Sequence, residues 1–112
     1  MASRSAIRTT GQKELPSALQ VLTNSSTAAI SKDCVIFQLV FNNKTGGAVT
    51  VTVTDQASTP LDLLTTVSLP ANSLTVVAFP EGQYMPGGFK WNASANTSIN
   101  ASVVGYYAPG VQ

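Results

Sequence analysis

The chain has 112 residues, the length of one domain with a single core. A formal net charge of +1 leaves no overall field to steer nucleic acid or an acidic partner. Charged residues make up only 10%, against about 25% in a typical soluble domain, and Thr, Ser and Asn fill the polar positions. Such an exterior fits either an ordinary Thr-rich β-protein or a surface that neighbours cover in an assembly, since solubility normally leans on charge.

Residues 1–14 read as an extended N-terminal arm, and residues 15–112 as the folded domain. Arg4, Arg8 and Lys13 supply half of the chain's basic residues ahead of the first acid, Glu14. As a strand the arm places Ser5, Ile7 and Thr9 on one side and Arg4, Ala6 and Arg8 on the other. That pattern suits a segment laid along another subunit's sheet edge, with Ile7 as its apolar peg. A floppy tail fits the same composition. No apolar core of a secretory signal follows Met1, and no run approaches the roughly 20 apolar residues of a membrane span.

From Leu15 to Ile30 two patterns compete. Leu15, Ala18, Leu19 and Leu22 recur at helical spacing after Pro16, while Leu19-Gln20-Val21 also begins a strand that breaks at Asn24-Ser25-Ser26. The strand reading is preferred here. Val35 to Phe41 is apolar on both faces, as in a central strand, and Val49 to Thr54 alternates Val with Thr. With the turn over residues 42–47 between them, these two predict a hairpin. A further strand is expected from Leu61 to Leu69, bent near Leu64, and Pro70-Ala71-Asn72 turns the chain again.

Two long β-segments follow, expected to be joined by the turn series from Phe79 to Gly88, in which Gly87 and Gly88 supply positive φ after Pro86. The last strand, Ile99 to Tyr107, places Ile99, Ala101, Val103 and Gly105 on one face and Asn100, Ser102, Val104 and Tyr106 on the other. Seven or eight short strands predict an all-β fold: a single antiparallel β-sandwich, jelly-roll-like, preceded by the arm.

Histidine is absent, which removes Ser-His-Asp and Cys-His catalysis and His-ligated zinc. The five acids form no local motif, although Asp55 and Asp62 could meet across a loop; they read as caps and turn residues. Cys34, the sole cysteine, reads as a small buried hydrophobe. Five Asn residues, Asn43 among them, match the N-x-Ser/Thr pattern as a by-product of a polar surface. No enzyme, metal, cofactor or small-molecule ligand is therefore expected. Tyr84, Trp91 and Tyr106 are the candidate interface or rim aromatics, with a core position the stronger alternative for Trp91.

Leu69-Pro70-Ala71, Phe79-Pro80-Glu81-Gly82, the run Gly87 to Ala95 and Val103-Val104-Gly105-Tyr106 together resemble small β-sandwich virion proteins of tailed bacteriophages. Length, sparse charge and a short arm make the chain most similar to head decoration, cement or staple proteins of short-tailed phages. The resemblance implies a jelly-roll-like body outside the capsid, made in the bacterial cytoplasm. It implies the major capsid protein and a second or third copy of the chain as partners, with no nucleic acid and no membrane. Arg4, Ile7, Arg8 and Thr9 are the candidate capsid-binding arm residues. Two other roles compete: a neck or tail adaptor, and a carbohydrate-binding module that needs Tyr84, Trp91 and Tyr106 exposed together.

Overall fold

A computed structural model describes residues 13–16, 18–94 and 99–108. The arm residues Arg4, Ile7, Arg8 and Thr9 lie outside the described residues. Those described form eight strands: β1 (Gln20–Leu22), β2 (Thr27–Ile30), β3 (Cys34–Asn43), β4 (Val49–Asp55), β5 (Asp62–Leu69), β6 (Ser73–Met85), β7 (Phe89–Ala93) and β8 (Ile99–Tyr107). They make two antiparallel sheets packed face to face, one ordered β1-β8-β3-β6 and the other β2-β7-β4-β5. For brevity these are the first and second sheets.

The pairing follows one rule. β1 pairs with β8, β2 with β7, β3 with β6 and β4 with β5, so the chain is a long hairpin rolled up on itself. Each link between consecutive strands from β1 to β4 therefore passes from one sheet to the other. The expected β3–β4 hairpin is accordingly corrected: the two strands face each other across the core. A period of two fixes which side chains face inward, but it does not choose a strand's hydrogen-bonding neighbour.

The alternation in β4 buries Val49, Val51 and Val53 and leaves the intervening threonines half-exposed. Across the core from them lie Ile36, Leu39 and Phe41 of β3 and Ile99, Ala101 and Val103 of β8. The helical pattern at Leu15–Leu22 yields no helix: Leu15 and Leu22 enter the core from an extended segment. The Leu15 N–H donates to the Gly105 carbonyl at 2.9 Å, and the Tyr107 N–H donates to the Lys13 carbonyl at 2.8 Å. Lys13 and Glu14, assigned to the arm, thus already hold the rim of β8.

The turn series ahead of β7 is also shorter than expected. β6 continues through Phe79 and Pro80 to Met85, and only Pro86 to Gly88 turns. Pairing with β3 jumps from Gln38↔Ala78 to Ile36↔Gln83, so residues 79–82 bulge out of the ladder around Gly82 at φ 84°. Pro80 cannot donate to a ladder, and a bulge in an edge strand accommodates it.

Asn43, read as a surface position, is fully buried at the end of β3. Its Nδ2 donates to the carbonyls of Gly47 (2.9 Å), Leu69 (3.0 Å) and Pro70 (3.1 Å). Its Oδ1 accepts from the Thr45 N–H (3.0 Å) and hydroxyl (2.7 Å). One satisfied amide therefore ties the β3–β4 link to the β5–β6 turn, and burying it carries no desolvation deficit.

Candidate binding face

The outer surfaces of the two sheets differ in kind. The second sheet turns Thr50, Thr52, Thr54, Ser68, Lys90 and Asn92 outward, the polar complement of its buried partners. In the first sheet, β1, β3 and β8 contain no charged residue, and β6 has none before Glu81.

Strand register builds that uncharged surface row by row. Val21, Asn100, Asn42 and Leu74 cross it in one row, Ser102, Val40 and Val76 in the next, and Val104, Gln38 and Ala78 in a third. Leu74 is 62% exposed, Val21 57% and Val76 51%. Singly such residues mean little, but apolar side chains on a continuous stretch of sheet that is uncharged up to Glu81 mark a surface that tends to be covered. The sequence reads β3 as buried on both faces; the fold buries one and leaves Val35, Phe37 and Val40 half-open on the other.

At one end this face deepens into a recess of about 390 Å³, lined by Phe37, Gln38, Ala78, Phe79, Pro80, Val104 and Tyr106. The bulges produce it. Phe37 is an extra residue in the β3–β8 ladder, since Ile36 faces Gly105 while Gln38 faces Val104. Its ring meets Tyr106 edge-on at a centroid distance of 6.2 Å.

The three candidate aromatics are not brought together. Tyr84 is 50% exposed on the outer face, where it pairs with Val35, and its hydroxyl donates to Asp33 Oδ2 at 3.0 Å. That bond to a carboxylate raises the Tyr84 pKa above its ordinary value. Tyr106 shares the outer face but is buried in the recess wall beside Phe37. Trp91 points the other way, into the core, so it is corrected from rim candidate to core residue. Its ring stands edge-on to Phe41 (5.9 Å) and Phe89 (5.2 Å). A rim position is available only to Tyr84. The stronger sequence reading of Trp91, a core position, is the one the structure shows, whereas nothing in the sequence signalled the burial of Tyr106 on the outer face.

The described residues hold no group of three or more His, Cys, Asp or Glu placed for a metal. Asp55 is buried and its Oδ1 accepts from the N–H of Ala57 (3.2 Å) and of Leu61 (3.4 Å), closing the β4–β5 loop. Asp62 is on the exposed side, accepting the Thr54 hydroxyl at 3.0 Å. The pair thus serves loop structure. Cys34 is fully buried, and desolvation, reinforced by Asp33, pushes its thiol from 9.0 up to about 12.

The Cys34 thiol is expected to react with thiol reagents at neutral pH only when the protein unfolds, tracking the denaturation curve. Rapid native-state labelling contradicts this placement. A folded-state pKa above the unfolded one means the thiol's contribution is complete below about pH 9 and is lost as pH rises toward about 12. Alkaline titration of a Cys34→Ala variant should show a smaller stability loss across that window.

Comparison of the chain with protein-family models, curated proteins and solved structures finds no match.

Proposed function

We propose that this protein is a phage virion structural protein, a head decoration or cement block that binds the outside of the capsid and bridges neighbouring capsid subunits. The single observation that carries the reading is the uncharged, partly apolar outer face of the first sheet with its aromatic recess. A binding block needs such a surface; an enzyme needs convergent reactive groups, and those are missing from the face described.

The body is read as a jelly roll. Its support is the strand order β1-β8-β3-β6 and β2-β7-β4-β5, the arrangement reached when an eight-stranded hairpin rolls into two sheets. Jelly rolls occur in viral capsid proteins, lectins and cupins, so the fold favours a virion role by analogy only. The lectin-like alternative loses its main support, because Trp91 and Tyr106 do not join Tyr84 on one exposed platform.

Magnitude favours bridging over a single tight contact. Four strands about 4.8 Å apart and about eight residues long present roughly 500 Å². A standard interface buries about 800 Å² on each partner, so one such face alone falls short of a standard interface. A block touching two subunits gains effective concentration, raising avidity by about 10² to 10⁴. The arm residues Arg4, Ile7, Arg8 and Thr9 are assigned the second contact, on a capsid sheet edge.

Cosedimentation with purified phage heads tests this. Placing carboxylates at Val21 and Val104 (Val21→Glu with Val104→Glu) is expected to weaken binding at least roughly tenfold, since charge would be desolvated without a partner. Full binding by that folded variant would sink the face. Unchanged binding after deletion of residues 1–10 would sink the arm. Counting copies per particle separates the alternatives: hundreds support decoration, whereas a dozen or so would point to a neck or tail ring.

A further inference from the structure

Four strands end the two sheets, and three of them are guarded against pairing with another chain. β1 has only three residues. β2 has four and is broken by a register shift between Ala28 and Ile30. β5 begins at Asp62 and its ladder shifts twice, on either side of Val53. Short length, bulges and inward or edge charges are the devices by which proteins keep sheet edges from pairing.

β6 is the exception. It is the longest strand, with 13 residues, and it closes the first sheet with one side of its backbone unpaired by any described strand. Its second half is guarded by Pro80, Glu81 and the bulge at residues 79–82. The first half, Ser73-Leu74-Thr75-Val76-Val77-Ala78, carries no charge and no proline and pairs with β3 without a break, and Phe79 opens the bulge. Every other residue there directs an N–H and a C=O away from β3, as any antiparallel edge strand must.

We infer that this open half of β6 pairs with the same segment of a second copy, antiparallel about a twofold axis at Val76, joining two four-stranded sheets into one of eight. The register is constrained. A twofold perpendicular to the sheet keeps outer faces together, so a residue can oppose only one of the same parity. The available segment is bounded by Asn72, a turn residue at φ 52°, and by Pro80, and its midpoint is Val76.

That register is self-complementary. Val76 faces its own copy, Leu74 faces Ala78 and Thr75 faces Val77, with Ser73 reaching Phe79 where the bulge begins. Large side chains thus oppose small ones on both faces, β-branched residues oppose one another, and no like charges meet. The rows of Leu74, Val76 and Ala78 from both copies become contiguous, so the uncharged face doubles across the junction. A second copy is the occupant favoured here because it brings a strand matched in length, size order and charge.

The inference deepens the bridging role proposed above and rests on that reading for its use, though not for its geometry. A twofold block presents two binding faces and two arms, which is what linking neighbouring capsid subunits requires.

Sedimentation equilibrium of the purified full chain tests it without any capsid. The wild type is expected to be a dimer across the micromolar range. Val76→Lys alone and Val76→Glu alone, each setting like charges directly opposite, are expected to sediment as monomers. An equimolar mixture of the two variants should recover the dimer, which only a self-opposed residue allows. Thr52→Lys, on the outer face of the other sheet, should leave the dimer intact. Should either Val76 variant fold poorly, amide exchange of the wild type decides: amides in 73–79 should slow as protein concentration rises, while those of β2 and β5 should not. A monomeric or trimeric wild type, dimeric Val76→Lys, a mixture that stays monomeric, or concentration-independent exchange in β6 would each overturn the pairing. Loss of the dimer with head binding retained would leave the capsid reading standing, and the reverse result would separate them equally well.

Discussion

Trp91→Ala should lower the unfolding free energy by about 3 to 5 kcal/mol, the usual cost of emptying a large aromatic site. Total stability of a domain this size is on the order of 5 to 15 kcal/mol, so the variant should be marginal and its urea midpoint sharply reduced. The reason is position. Trp91 extends from β7 of the second sheet to meet Phe41 of β3 in the first, while Phe89 braces it from two residues away. These rings fill the layer between the sheets, where surrounding strands have little freedom to collapse. Its buried Nε1 has no hydrogen-bond partner among the described residues. Trp91→Phe should therefore cost much less than Trp91→Ala, because it keeps a ring and removes an unsatisfied donor. An unfolding free energy for Trp91→Ala within about 1 kcal/mol of wild type would contradict the core assignment.

Gly88→Ala is the second large effect, at least about 4 kcal/mol or outright failure to fold, read as loss of the cooperative transition. Gly88 sits at φ 94°, where an L side chain is strained. A Cβ there would also press on the carbonyl oxygen of Ile30 and lie 3.0 Å from the Lys32 nitrogen. Both obstacles are backbone, which cannot rotate aside. The position is a junction: the Gly88 N–H donates to Met85 O at 3.0 Å, and Gly88 O accepts from the Gln56 N–H at 3.1 Å. Gln56 Nε2 in turn donates to the Ile30 carbonyl at 2.7 Å. The turn, the end of β2 and the β4–β5 loop are thus fastened at one point. Gly46→Ala and Gly47→Ala are the controls, since a Cβ at either meets nothing within 4 Å. A stable Gly88→Ala protein would show that this junction can yield.

These two residues also show how far sequence reading reaches. Pro86-Gly87-Gly88 announces its turn because only glycine tolerates the required φ, and the structure places Gly87 at 76° and Gly88 at 94°. Trp91 reads from sequence as more a core residue than a rim one, but its neighbours are not legible there. Whether such a ring plugs a core or lines a rim depends on which strand faces it, and that partner is 50 residues away at Phe41. Tyr106 makes the same point from the outer face, where a bulge at Phe37 rather than the core covers it.

The uncharged outer face of the first sheet is the least legible feature in the sequence. An apolar residue on β3 reads the same whether a second sheet or an outside partner is to cover it. Only after the sandwich closes on Ile36, Leu39 and Phe41 does the half-open side with Val35 and Val40 stand out. The open edge of β6 was hidden for a similar reason: Pro80 and Gly82 resemble a turn, but β3 pairs on both sides of them and carries the strand through.

From the sequence alone came the all-β character, the inward faces of β4 and β8, the tight turn before β7 and the lack of histidine chemistry. Each rests on local rules, the two-residue period and the allowed φ of glycine, which need no distant partner. Tertiary structure decided that β3 and β4 belong to opposite sheets, that Trp91 joins those sheets, and that no described strand covers one largely uncharged face or one long edge. Those are outcomes of long-range pairing, where several neighbours satisfy the same local pattern and only the closed fold selects among them.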